Sequence, residues 1–189
     1  PDIDPGLWRQ ASAGLPWLRC IAPARDARLH ALVAEFTRDK TITPVQGLRL
    51  NDVQRLRLAM LCCMPLLEFG REGLHGWSEL VVYPDAFRVQ RSHVDAQGVL
   101  HEWDDELIGE AWERGPVILS WADVRADIGA PREGYCVAAH EIAHKLDALD
   151  GTMDGTPPLP RDWQRQWAAD FQRAYDALCA DVDAGRQAA

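Results

Sequence analysis

The chain of 189 residues is long enough for one domain with its own core, and its 47% hydrophobic and 26% charged residues are ordinary globular values. The net charge of −9 and the pI near 5.1 argue against binding to nucleic acid or an anionic membrane, because both require a basic surface. No apolar run approaches the roughly 18 residues of a membrane span, and the first residues do not resemble a secretory signal. The five cysteines, without C-x-x-C spacing, indicate reduced thiols in a cytoplasmic protein.

Apolar residues spaced three and four apart predict two helices in the first third of the chain. The first helix runs from about residue 24 to residue 39, after an irregular or short-helical arm. The second begins at Asn51 or Asp52, either of which is a favourable N-cap. Pro65 is expected to end or kink this helix, because proline removes a helix hydrogen bond. The loop between the two helices, residues 41–50, has room for one short strand.

Short β-rich segments follow, and together with the helices they predict an α+β fold with a small mixed sheet. The segments are residues 77–83, 87–94, 99–103 and 115–121, with a turn at 95–98. As an edge strand, the last of them could hydrogen-bond an extended peptide. The acidic residues Asp104, Asp105 and Glu106 are interpreted as a solvated loop, with a second metal site as the alternative.

The most specific functional pattern is the H-E-x-x-H motif of His140, Glu141 and His144. It lies in a segment from Tyr135 to Asp147 that contains no Gly or Pro, so the motif is predicted to be helical. Residues four apart share a helix face about 6 Å apart along the axis, so both imidazoles can bind one zinc ion at roughly 2.0–2.1 Å. Glu141 can then act as general base toward a water molecule that the ion activates. The alternative is a helix with two solvent-facing histidines and a chance glutamate.

A catalytic zinc ion usually has three protein ligands, and the third is not obvious here. Cys136 lies about 12 Å from His144 along the helix axis, so it is interpreted as a small buried hydrophobic residue and not as a ligand. Asp150 and Asp170 are candidates, the first because it follows the motif by six residues. The favoured interpretation is that residues 1–189 form one domain without a C-terminal helical part, beyond residue 189, that carries the third ligand.

The chain after the motif is predicted to contain a rigid loop and one more helix. Three prolines between residues 157 and 160 exclude a helix in the loop. The last helix covers about residues 162–179, and its apolar residues form one stripe. This stripe predicts that the last helix packs against the motif helix.

Five segments together carry a family resemblance. They are KTITPVQGL at 40–48, LCCMPLLE at 61–68, VYP at 82–84, GPVILSW at 115–121 and HEIAHKLD at 140–147. With these segments the chain resembles the Mlc titration factor A family of bacterial zinc peptidases, across most of residues 15–160. The resemblance implies a zincin-like α+β fold, which is also found in a toxin metalloprotease domain. It further implies zinc on His140 and His144, with Glu141 as the base.

The same resemblance implies a cytoplasmic metallopeptidase with aminopeptidase-type activity on peptides. Enterobacterial members of the family also bind the glucose-responsive repressor Mlc. The family's third ligand, a glutamate in a helix after a tyrosine-bearing loop, has no counterpart here, since Glu141 is the last glutamate of the chain. An alternative from another class is a protein-binding module that sequesters a transcriptional repressor, with zinc structural or vestigial. A zinc hydrolase that does not act on peptides is a further alternative.

Overall fold

The chain is organised as two units, Pro1–Lys145 and Leu146–Ala189, in a computed structural model. The structure describes residues 3–85, 93–94, 100–101, 115–129 and 135–186. Among these residues, no helix is both long enough and apolar enough to span a membrane.

Three helices form the N-terminal part of the first unit. They are α1 (Pro5–Ala13), α2 (Pro23–Asp39) and α3 (Asp52–Cys63). Both α1 and α2 pack against α3. These bounds confirm the two predicted helices. The N-terminal arm is more regular than expected, because it contains α1 and a 3₁₀ turn, Pro16–Cys20.

The helix α3 lies at the centre of this packing, and its ends follow from its sequence. The Asn51 side chain accepts from the amide of Gln54, and the Gln54 side chain accepts from the amide of Asn51, both at 2.9 Å. The helix ends at Cys63, and Pro65 lies in the 3₁₀ turn that follows, as predicted. Its buried residues lie on every side of the helix: Leu56, Leu58, Ala59, Met60, Leu61, Cys62 and Cys63.

Five strands are described: β1 (Thr41–Pro44), β2 (Glu79–Tyr83), β3 (His93–Val94), β4 (Leu100–His101) and β5 (Val117–Ser120). Three of them form one parallel sheet in the order β1-β2-β5, and β3 and β4 form a separate antiparallel pair. The prediction of one mixed sheet is therefore wrong for the described residues. Neighbouring strands of this sheet are parallel because long crossover segments, such as the one containing α3, return the chain to the same end of the sheet.

Some sequence predictions lie outside the described residues. These are the turn at 95–98, the acidic residues Asp104, Asp105 and Glu106, and most of the segments 87–94 and 99–103.

The strand β5 leads directly into a helix that the sequence did not predict, α4 (Trp121–Gly129). The Ser120 hydroxyl accepts a hydrogen bond from the amide of Asp123 at 3.2 Å, which is the contact of an N-cap. The predicted strand 115–121 is thus four residues long, and Trp121 begins the helix instead of ending the strand.

The motif helix is α5 (Val137–Asp147), followed by a 3₁₀ turn, Ala148–Asp150. Gly151 ends this turn with a φ of 83°, a left-handed conformation that glycine adopts without strain. In the second unit, α6 (Arg161–Asp183) carries the predicted apolar stripe, in which the rings of Trp167 and Phe171 lie 4.5 Å apart. None of the α6 residues is buried, so the predicted packing of this helix against the motif helix stays a prediction.

Candidate metal centre

The helix α5 has an apolar face and a polar face. Ala138, Ile142 and Leu146, each four residues apart, are buried. His140 and His144 lie on the opposite side, since a two-residue offset corresponds to about 200° of helix rotation, and both are exposed. The apolar spacing thus leaves the two histidines of the motif on one exposed face, and the predicted helix with a shared histidine face is confirmed.

The two imidazoles lie in direct contact with each other. Their Nε2 atoms lie 3.0 Å apart, and their ring centroids lie 4.6 Å apart with planes at 85°. Two imidazole nitrogens that bind one tetrahedral zinc ion at 2.0–2.1 Å are about 3.3 Å apart. The pair is therefore arranged in a way that fits chelation of a single ion with very little movement.

Two further side chains accompany this pair. Glu141 follows His140 directly and is half-buried. The exposed ring of Tyr135 lies 6.4 Å from the ring of His140. A carboxylate beside two imidazoles can accept a proton from a nucleophile held in front of them.

A third metal ligand is not assembled in the part of the chain that the structure describes. There, no group of three or more His, Cys, Asp or Glu side chains comes together. The Asp150 carboxylate accepts hydrogen bonds from the hydroxyl and the amide of Thr152, and these bonds hold the pKa of Asp150 below its usual value. The Asp170 carboxylate accepts from Gln166 at 2.8 Å and is paired with Arg173. Both aspartates are thus engaged by their own neighbours in the second unit.

Cys136 precedes α5 and contributes its backbone to the helix. Its carbonyl accepts from the amide of His140 at 2.9 Å. The side chain is half-buried, and burial raises the pKa of its thiol, so it stays protonated at neutral pH. The sequence predicts a small buried hydrophobic residue at Cys136, and the structure shows it only half-buried. All four cysteines with described side chains, including Cys62 and Cys63, are free thiols.

Two residues that sequence reasoning missed hold α5 in place. Asp127 on α4 accepts a hydrogen bond from the amide of Val137 at 2.7 Å. Lys145 donates to the carbonyl of Gly115 at 2.9 Å. The S-x-x-D pattern from Ser120 to Asp123 could have indicated α4 and hence the position of Asp127. The Lys145 contact has no local sequence pattern.

Comparison with known proteins defines the class of this protein. The model of the glucose-regulated metallo-peptidase M90 family matches residues 1–188. The chain belongs to this family of metallopeptidases, and the family implies a metal cofactor.

Its curated relatives include proteins named Mlc titration factor A, which confirms the resemblance found in the sequence. The protein of Escherichia fergusonii is 34% identical over 184 residues, which cover 97% of this chain and 68% of the relative. The protein of Klebsiella pneumoniae is 35% identical over 177 residues, covering 93% of this chain and 66% of the relative. A relative from Escherichia coli is 32% identical over the same length of 177 residues. The chain thus spans about two thirds of the length of these relatives.

Proposed function

We propose that this protein is a zinc-dependent metallopeptidase of the aminopeptidase type, acting on peptides in the cytoplasm. The observation that carries the proposal is the 3.0 Å approach of the His140 and His144 Nε2 atoms on the exposed face of α5. Membership in a metallopeptidase family supports the choice of a metal hydrolase over a chance pair of surface histidines.

His140 and His144 are the proposed zinc ligands. In neutral form both imidazoles can present Nε2 lone pairs to the ion. The third protein ligand is proposed to lie beyond residue 189, as the sequence predicted. When bound, the ion supplies Lewis-acid chemistry, which polarises a scissile carbonyl and makes a water molecule more acidic.

Glu141 is the proposed general base. Its carboxylate accepts a proton as the water oxygen bonds to the scissile carbon, and it later passes this proton to the leaving amine as the carbon–nitrogen bond breaks. The net reaction adds one water molecule across the peptide bond, and Glu141 ends in its starting protonation state. The position of Glu141 directly after His140 in the H-E-x-x-H motif supports this role.

The strand β5 is the proposed platform for the substrate backbone. It pairs with β2 on one side, and no described strand pairs with its other side. An edge without a strand partner among the described residues can hydrogen-bond an extended peptide, as other edge strands do. The bond from Lys145 to Gly115 connects the start of this strand to the residue after His144.

Replacing Glu141 with glutamine tests the mechanism. Glu141→Gln is expected to lower peptide turnover by about 10²–10⁴-fold, the usual contribution of a general base, and to leave zinc content unchanged. Aminopeptidase assays with chromogenic amino-acid anilides and elemental analysis measure the two quantities. Glu72→Gln, on an exposed 3₁₀ turn, is the matched control and should behave as wild type. Normal turnover in Glu141→Gln would remove Glu141 as the base.

A second candidate function is the binding of a transcriptional repressor. It is favoured by the name of the relatives, Mlc titration factor A. In that case the partner is a glucose-responsive repressor similar to Mlc, and the motif is not needed for binding. Glu141→Gln should then bind the repressor as tightly as wild type in a direct binding assay. Loss of repressor binding in this variant would tie both functions to one site.

A further inference from the structure

The motif helix is attached to the rest of the first unit near both of its ends. At its N-terminal end, the Asp127 carboxylate accepts from the amide of Val137 at 2.7 Å. In its last turn, the Lys145 ammonium group donates to the carbonyl of Gly115 at 2.9 Å. Both charges also suit the helix dipole, because a carboxylate is favourable at the N-terminus and an ammonium at the C-terminus.

Both hydrogen bonds connect α5 to one continuous stretch of chain, which contains β5 followed by α4. Gly115 lies just before β5, and Asp127 lies near the end of α4. One hydrogen bond would add a constraint at a single point to the packing of the buried apolar row of the helix. Two bonds about 12 Å apart along the helix axis fix both its position and its rotation relative to this segment.

The two bonds bracket the histidine pair. Val137 lies three residues, nearly one turn, before His140, and Lys145 directly follows His144. A rotation of α5 would move the imidazoles relative to β5, the proposed substrate edge. Displacements of about 1 Å in such an arrangement are enough to lower activity about 10²-fold.

We infer that Asp127 and Lys145 are positioning residues that hold the His140–Glu141–His144 face of α5 in register with β5. This inference rests on the proposed function of α5 as the metal-binding helix. Asp127 acts through the backbone of Val137, and Lys145 acts through the backbone of Gly115, so neither residue touches the metal or the substrate. The alternative is that both bonds only add to the stability of the fold.

Metal affinity separates these two roles, because the third ligand is proposed to lie outside α5 and a displaced α5 would hold His140 and His144 at the wrong distance from it. Asp127→Ala and Lys145→Met should each weaken zinc binding about 10–100-fold, the usual effect of removing a group that orients a metal ligand. Asp127→Asn keeps an oxygen that can accept from Val137, so it should stay within about threefold of wild type. Zinc dissociation constants come from competition with a chromophoric chelator. The absorption spectrum of bound cobalt reports the geometry of the site.

The chain offers matched controls for both substitutions. Asp4 caps α1 by accepting from the amide of Leu7 at 2.7 Å, as Asp127 caps α5. Lys40 donates to the carbonyls of Leu74 and Trp77, as Lys145 donates to that of Gly115. Asp4→Ala and Lys40→Met should lower stability in urea unfolding but leave zinc affinity and the cobalt spectrum unchanged.

The outcomes are distinguishable. Loss of affinity in Asp127→Ala and Lys145→Met, with rescue by Asp127→Asn and none in the controls, supports the positioning role. Zinc binding as in wild type by both variants, with stability lowered as in the controls, overturns the positioning role and leaves the proposed function intact. Absence of zinc binding by the wild-type protein, in a form that includes the residues beyond 189, overturns the proposed function, and the positioning role with it.

Discussion

Two helices of nearly equal length, α3 and α5, differ in how much of their surface is buried. The helix α3 buries seven of its 12 residues and is surrounded by other elements. The helix α5, with 11 residues, buries one apolar row and leaves its histidines exposed. Substitutions in α3 should therefore change the free energy of unfolding, whereas substitutions on the exposed face of α5 should change metal binding. Changes to individual residues or to pH should separate effects on stability from effects on metal binding, and they follow from the largest expected effect to the smallest.

Truncation of Leu58 should have the largest effect. This side chain is fully buried in α3, so Leu58→Ala removes apolar contacts and leaves a cavity. The free energy of unfolding is expected to fall by about 2–5 kcal/mol, measured by urea denaturation. Zinc affinity of the folded protein should not change. A loss of affinity comparable with the loss of stability would show that the two helices are not separable.

Removal of one histidine from α5 should weaken zinc binding and leave the free energy of unfolding nearly unchanged, which is the reverse of the Leu58 result. His144→Ala is expected to weaken zinc binding about 10²–10³-fold, because one ligand contributes roughly 2.5–4 kcal/mol of a metal site. Stability of the metal-free protein should change by less than about 0.5 kcal/mol, since the side chain is exposed. Chelator competition measures the affinity. His75→Ala, at another exposed histidine, is the control, and an equal loss in both variants would contradict the assignment.

The same comparison shows what the sequence could and could not predict. Spacing along α3 and α5 is local, so the helices, the Pro65 boundary and the shared face of His140 and His144 were predictable. The sheet was predicted as mixed because the sequence of a strand of four or five residues does not indicate which strand it pairs with or in which direction. The bonds of Asp127 to Val137 and of Lys145 to Gly115 join residues ten and 30 positions apart, and only the folded chain brings them together.

Alkaline pH should weaken the α3 core. Burial raises the pKa of the Cys62 thiol, and the neighbouring Cys136 thiol adds to this effect. The folded protein keeps the thiol proton while the unfolded chain loses it, so stability is fully present below about pH 8.5 and falls above it, by about 1.4 kcal/mol per pH unit for each thiol. Urea unfolding of wild type and Cys62→Ala at pH 7 and pH 10 measures the difference. An equal stability difference between the two proteins at pH 7 and at pH 10 would contradict this prediction.

The N-cap of α3 should show the smallest effect. Asn51→Ala removes the exposed hydrogen bond that the Gln54 amide donates to the Asn51 side chain. The free energy of unfolding is expected to fall by about 1 kcal/mol, with no change in zinc affinity. Calorimetry and chelator competition on the same sample compare the two quantities. This variant also sharpens the contrast with Asp127→Ala, in which a cap on α5 is removed and zinc affinity is expected to fall.

The most direct test of the proposed metal centre is X-ray absorption spectroscopy at the zinc edge of the zinc-loaded protein. The geometry of His140 and His144 predicts two imidazole nitrogens at about 2.0–2.1 Å, with oxygen as the remaining ligands. Cys136 lies about 12 Å from His144 along the helix axis, which predicts no sulfur scatterer. Fewer than two imidazoles would contradict the assignment of α5 as the metal-binding helix, and a sulfur shell near about 2.3 Å would contradict the exclusion of Cys136 as a ligand.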